Sequence, residues 1–171
     1  MVAKIGRGKS LFGALSYNMD KVKNNTATVL AGQKIIESPD GTFTTAQISN
    51  SFQAYLIANR KTETPVVHIS LNPDPDDTGS NNDYKAIAKD YMEKMGYGKQ
   101  PFIVFKHNDI ERNHIHIVTV CVDEEGKKIS DAFEKRKSMA ACRELERKYN
   151  LKSAVEKKRN QSEPIFKPVN Y

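Results

Sequence analysis

Three of the chain's four histidines fall within ten residues, in the segment His107-Asn-Asp109-Ile-Glu-Arg112-Asn-His114-Ile-His116. Neutral imidazole is the commonest metal ligand among side chains. On a strand, alternate side chains share a face. His114 and His116 therefore project together, while Ile115 and Ile117 project into the apolar layer behind them. The apolar segment ending at His107 and the one beginning at His114 are separated by a short polar turn. That turn pairs them antiparallel and brings His107 beside the other two. Three converging imidazoles cap one face of a metal ion and leave positions open for water or a substrate oxygen, which is how a catalytic site is built. Asp109, two residues past His107, can accept the spare imidazole proton, fixing the ring and raising its basicity. The plain alternative, a set of solvated surface histidines, accounts for a spaced pair more readily than for a third ligand beside it.

A candidate nucleophile lies near the start. The segment SLFGALSYNMDK reads as a short helix with Phe12, Leu15 and Met19 on its apolar side, and Tyr17 points away from that stripe. Tyr55, Tyr84, Tyr91 and Tyr149 fall on the apolar faces of their helices, where packing explains them; Tyr97 and Tyr171 fall in segments without clear periodicity. Spacing alone barely distinguishes Tyr17 from an ordinary exposed tyrosine, because nothing in it ties the ring to the metal. His68, in VVHISLN, shares a strand face with Val66 and Ser70. A core histidine, or one supporting a ligand from behind, fits that setting better than direct substrate contact does.

These groups need elements to hold them. The branched segments VAKI, ATVLAGQKII, PVVHISL, PFIVFKH and HIHIVTVCV read as strands. Helices are predicted over 44–60, with Thr44 and Gln47 in capping-box spacing and Ile48, Phe52, Tyr55 and Leu56 on one face; over 82–95, stopped by Gly96; and over 135–149, burying Cys142, Leu145 and Tyr149. The order is strand, helix, strand, helix, strand, helix, strand, strand, helix, an α+β pattern of a sheet covered by helices. The stretch 71–82 is a polar loop, and DEEGKK reads as a hairpin turn. One domain is expected over 1–151, followed by a linker or tail over 152–171 that contains two prolines and no sustained periodicity.

The composition is that of a folded chain: 171 residues, 38% hydrophobic and 28% charged. There is no bilayer-length apolar run and no secretory leader pattern, so membrane insertion is not expected and the expected location is the cytoplasm. Cys121 and Cys142, without a second pair nearby, read as buried free thiols rather than a zinc site. A net charge of +6 suits a polyanionic partner.

Taken together, Tyr17 in LSYN, the segment VVHISLNPDPDD and the motif HNDIERNHIHIV resemble the mobilisation relaxase family of HUH endonucleases, named for two histidines flanking a hydrophobic residue, here His114-Ile115-His116. The likeness extends over about residues 1–151, including the RKSMAACRELERKYNL helix. It implies a central antiparallel sheet of about five strands with helices packed on it. It also implies a bacterial, metal-dependent nuclease from a plasmid or transposon mobilisation protein, which nicks single-stranded DNA at an origin of transfer and keeps the 5′ end on a tyrosine. Carried across, Tyr17 becomes the nucleophile and His107, His114 and His116 the ligands. The cofactor implied is a divalent metal, magnesium or manganese in use, with zinc, nickel or cobalt also able to bind three imidazoles. An accessory mobilisation protein and a coupling protein are further partners the resemblance suggests. Some relatives carry two adjacent tyrosines; here Tyr17 is followed by Asn18. Arg112, Lys106, Lys4, Arg7, Lys9, Lys21 and Lys23 are the candidate DNA contacts, together with Lys135, Arg136 and Lys137.

Three other readings stay open. A rolling-circle initiator or transposase of the same superfamily would use a tyrosine on a helix after the histidines, where only Tyr149 is available. A three-histidine zinc hydrolase of small molecules would not need Tyr17. A metal-stabilised DNA-binding module would bind DNA without forming a covalent adduct.

Overall fold

The computed structural model describes residues 1–108 and 113–154. Five strands, β1 (Val2–Gly8), β2 (Ala27–Gln33), β3 (Val66–Asn72), β4 (Phe102–His107) and β5 (His114–Val120), form one antiparallel sheet in the order β1-β3-β5-β4-β2. The two strands that carry the three clustered histidines are thus neighbours, and β5 sits at the centre. Its residues are nearly all buried, as a strand covered on both faces requires.

Helices α1 (Leu11–Lys23) and α2 (Thr45–Ala58) cover one face, where Leu15, Ile48 and Phe52 pack on Val66, Ile103, Phe105, Val118 and Val120. Helices α3 (Asn81–Lys94) and α4 (Glu134–Lys148) cover the other, where Ile87, Tyr91, Cys142 and Leu145 pack on Ile69, Val104, Ile115 and Ile117. The fold is α+β, as expected. Side-chain caps start three of the helices. Thr44 and Ser80 form reciprocal capping boxes with Gln47 and Asp83, and Ser10 accepts from the Gly13 amide. Both cysteines are buried and free.

Two expectations need correction. Helix α1 packs through Leu11, Leu15, Asn18 and Met19, not through Phe12, which is 72% exposed. The helix begins directly after the Ser10 cap, and at 100° per residue the i, i+4, i+8 series from Leu11 takes the inner side. Strand β2 ends at Gln33 rather than Ile36, because Lys34 adopts a left-handed conformation with φ 55° that no strand continues through. Most of the expected tail, residues 155–171, lies outside the described residues. Its beginning is tied down: the Lys152 amide reaches Asp77, Lys152 Nζ reaches Asp76, and the Ala154 amide reaches Glu146.

Ile117, fully buried one residue past His116, anchors the site strand to the α3–α4 layer. Ile117→Ala should lower unfolding free energy by about 2–5 kcal/mol, measured by denaturant titration. A change below about 0.5 kcal/mol would mean that this layer is not packed as described.

Candidate metal centre and nucleophile

Strand register assembles the histidines. His107 of β4 stands directly opposite His114 of β5, and His116 lies two residues further along β5, opposite Ser70 of β3. His68 faces Val118, so His68, Ser70, His107, His114 and His116 all project from the α1–α2 face of the sheet. The rings of His107 and His116 stack at 3.8 Å, and those of His114 lie 5.2 and 4.9 Å from them.

The donor set fits a cation. One ring nitrogen from each of His107, His114 and His116 lies within 4.8 Å of the others. Two nitrogens bound to one ion at about 2 Å stand no more than about 4 Å apart, so small ring rotations bring the set together. Hydrogen bonds favour the required tautomers. His107 Nε2 lies 2.7 Å from Asn18 Oδ1, while Asn18 Nδ2 donates to the Ala14 carbonyl. With the amide so oriented, Oδ1 accepts the Nε2 proton and the lone pair of His107 resides on Nδ1. His116 Nδ1 lies 3.0 Å from His68 Nε2. Burial depresses the His68 pKa below the ordinary imidazole value, keeping that ring neutral. When His116 donates across this contact, its lone pair is on Nε2.

The nucleophile candidate hangs over the cluster. Helix α1 crosses the same sheet face, and the Tyr17 ring lies 6.2 Å from His68, 6.0 Å from His107 and 6.3 Å from His116. It is also 50% exposed, whereas the adjacent Asn18 is fully buried against His107. One turn of helix thus holds both an accessible phenol and an anchor for a ligand. Asn18 was not among the residues that spacing singled out. The signal was present in its position beside Tyr17, on the inward side of a helix whose other inward residues are apolar.

The basic residues divide by face. Lys21 sits on the site side with its ammonium 5.3 Å from the Tyr17 ring centroid. Lys4 pairs with Ser70 and shares the face of His68. Lys9 and Lys23 are exposed at the two ends of α1. Lys106 and Arg7 project from the opposite face. Lys106 donates to Asn81 and lies over Tyr84, and Arg7 makes two bonds to Glu134 of α4. Neither is brought to the histidine cluster. Asp109 and Arg112 lie outside the described residues.

A model of the relaxase nuclease domain, MobA/VirD2-like, matches residues 17–151. No curated protein matches the chain. No helix among the described residues is long and apolar enough to cross a membrane.

If the three imidazoles take one ion, Mn²⁺ or Ni²⁺ at roughly a hundred times Kd should add about 2.7 kcal/mol of stability, reversed by chelation. Thermal melts of the wild type and of His116→Ala, in which the increment should vanish, check this. Asn18→Leu should weaken metal affinity by about 10- to 100-fold through loss of His107 orientation, read by calorimetric titration. Unchanged affinity would remove Asn18 from the site.

Proposed function

Since the chain belongs to the MobA/VirD2-like relaxase nuclease family, whose members nick DNA, we propose that it cuts single-stranded DNA at an origin of transfer by transesterification onto Tyr17, serving the mobilisation of a plasmid or transposon. The observation that carries this reading is the Tyr17 ring about 6 Å from His68 and from two of the three candidate ligands, His107 and His116, while half of its surface stays accessible. A phosphate seated between the phenol and the histidines would touch both.

The phenolic oxygen attacks phosphorus in line as the phenol gives up its proton. The new tyrosyl O–P bond forms while the bond from phosphorus to the 3′ oxygen breaks, and that oxygen leaves as a hydroxyl after taking up a proton. One phosphodiester is exchanged for another, so the 5′ phosphotyrosine retains the energy needed for rejoining, and reversal closes the strand. His107, His114 and His116 would hold a divalent cation, whose positive charge would offset the negative charge that builds on the phosphate. Magnesium or manganese is the ion proposed in use, with zinc, nickel or cobalt able to occupy the same nitrogens. His68 and Asn18 keep His116 and His107 turned to their work, and Asp109 is proposed as a further support. Lys21 and Lys4, with Lys9 and Lys23 further out, are the proposed phosphate contacts on this face.

Two rivals lose support from particular residues. An initiator-type mechanism needs a tyrosine after the histidines, but the Tyr149 hydroxyl donates to Asp90 of α3, on the other side of the sheet. A small-molecule hydrolase offers no reason for α1 to hold a phenol over the ligands.

The test is to incubate the protein with labelled single-stranded origin DNA and Mn²⁺ and to look for a protein–DNA band that survives denaturation. Tyr17→Phe should reduce that band to background with binding largely intact, and His114→Ala should also stop cleavage. An adduct persisting in Tyr17→Phe would move the nucleophile elsewhere. Separately, Lys21→Ala should reduce the slope of log affinity against log salt by about 0.7, the contribution of one phosphate contact to a single strand. An unchanged slope would take Lys21 off the DNA path.

A further inference from the structure

Phe133 breaks three rules of local structure at once. It holds a left-handed backbone conformation, φ 55° and ψ 31°, which bulky L-residues avoid. It occupies the N-cap of α4 with no side chain to offer the helix amides, where Ser, Thr, Asp or Asn is favoured. And its ring is 71% exposed, so packing gains nothing from it. Asparagine would satisfy the backbone and the cap better. Local strain and an exposed aromatic ring point together to use by something outside the molecule.

The surroundings are cationic. Lys135, Arg136 and Lys137 follow after Glu134, all exposed, and the Arg136 guanidinium lies 5.5 Å from the Phe133 ring centroid. The two nearest acids are already engaged, Glu134 by Arg7 and Asp131 by Lys128. What the patch presents is an aromatic face within a positive field, the combination that binds single-stranded nucleic acid through base stacking and phosphate attraction.

The patch is also connected to the site. The Arg7–Glu134 pair ties the residue after Phe133 to the edge strand β1, and Arg7 lies between Gly6 and Gly8. Those two glycines face the opposite way from Arg7, alongside His68 and Val66. A Cβ at Gly6 would come no closer than 3.9 Å to the His68 carbonyl oxygen, and one at Gly8 would meet nothing within 4 Å beyond its chain neighbours. Neither glycine has a positive φ, so the protein's own packing does not demand them. Glycine in a strand interior often marks close approach by another backbone. From His68, a bare floor on β1 leads toward the margin where Phe133 stands.

We propose that Phe133 is a base-stacking residue, with Lys135, Arg136 and Lys137 holding phosphates around it, for the same single strand that is cut at Tyr17, which crosses Gly6 and Gly8 between the two. The proposal rests on the nicking reading for its choice of ligand. It adds a second contact region on the far margin of the edge strand, distinct from the metal face.

The chain has no tryptophan, so Phe133→Trp supplies a single reporter. In the full chain carrying Tyr17→Phe, to prevent cleavage, and without added metal, a mixed-sequence single-stranded oligonucleotide should quench that fluorescence with the same midpoint as binding read by anisotropy. An abasic strand of equal charge should bind more weakly without quenching. Phe133→Ala should weaken binding on the order of tenfold, while Phe133→Gly, which relieves the backbone, should not lower the melting temperature. Gly6→Val should keep its fold and lose affinity for the strand. If the wild type forms its covalent adduct yet the tryptophan is not quenched and Phe133→Ala binds equally well, the stacking role is wrong and the nicking reading stands. Equal quenching by the abasic strand, or a blue shift with anionic vesicles in place of quenching by DNA, would also overturn it. Absence of any single-strand binding by the wild type would remove both readings.

Discussion

The pairing of His107 opposite His114 is the constraint on which the rest depends. Antiparallel register is discrete, and a slip of one residue would send every side chain of β5 to the other face of the sheet. His114 and His116 would then enter the apolar layer, and Ile115 and Ile117 would face the site. Burial of Ile115 and Ile117 under α3 and α4 therefore does more than stabilise the domain: it holds His114 and His116 on the face of His68 and His107. Central placement of β5, bonded to β3 on one side and β4 on the other, lets one strand gather His68 and His107 from its two neighbours.

Helix α1 supplies the second half of the arrangement by coupling two roles within two residues. Asn18 is buried and bonded to His107, and Tyr17 is accessible and next to His107 and His116. The proposed nucleophile is thus placed by a helix whose position is itself fixed by Leu11, Leu15 and Met19 in the core. A helix gives a steadier mount than a loop, which suits a reaction that needs in-line geometry.

Much of this was legible from residue order. Alternation in HIHIV, a polar segment short enough for a hairpin, and the Thr44 capping signal are local, and local rules read them; the Ser80 cap emerged only with the structure. Tyr17 is different. Its exposure was visible in the helical period, but its nearness to the histidines depends on α1 crossing the sheet, a contact between residues some ninety positions apart. Phe12 shows the limit of periodicity: with Leu11 also apolar, two helix rotations fit the pattern equally, and only the Ser10 cap and the sheet beneath select one. Lys106 and Arg7 illustrate the reverse case. Each is next in sequence to a residue on the site face, and strand alternation therefore carries each to the opposite one. Adjacency on a strand is evidence against a shared site. Phe133 was invisible for another reason: no propensity rule predicts a left-handed phenylalanine, because every such rule opposes it.

The proposed reaction joins a phenol from the first helix to a candidate cation site from the fourth and fifth strands around one phosphate. The most direct measurement of that union is mass spectrometry of proteolysed protein after reaction with single-stranded origin DNA and nuclease trimming. The expected product is a 5′-phosphonucleotide on the peptide containing Tyr17, dependent on divalent metal and lost in the presence of a chelator. The same mass on a peptide containing Tyr97 or Tyr149, or metal-independent modification, would contradict it.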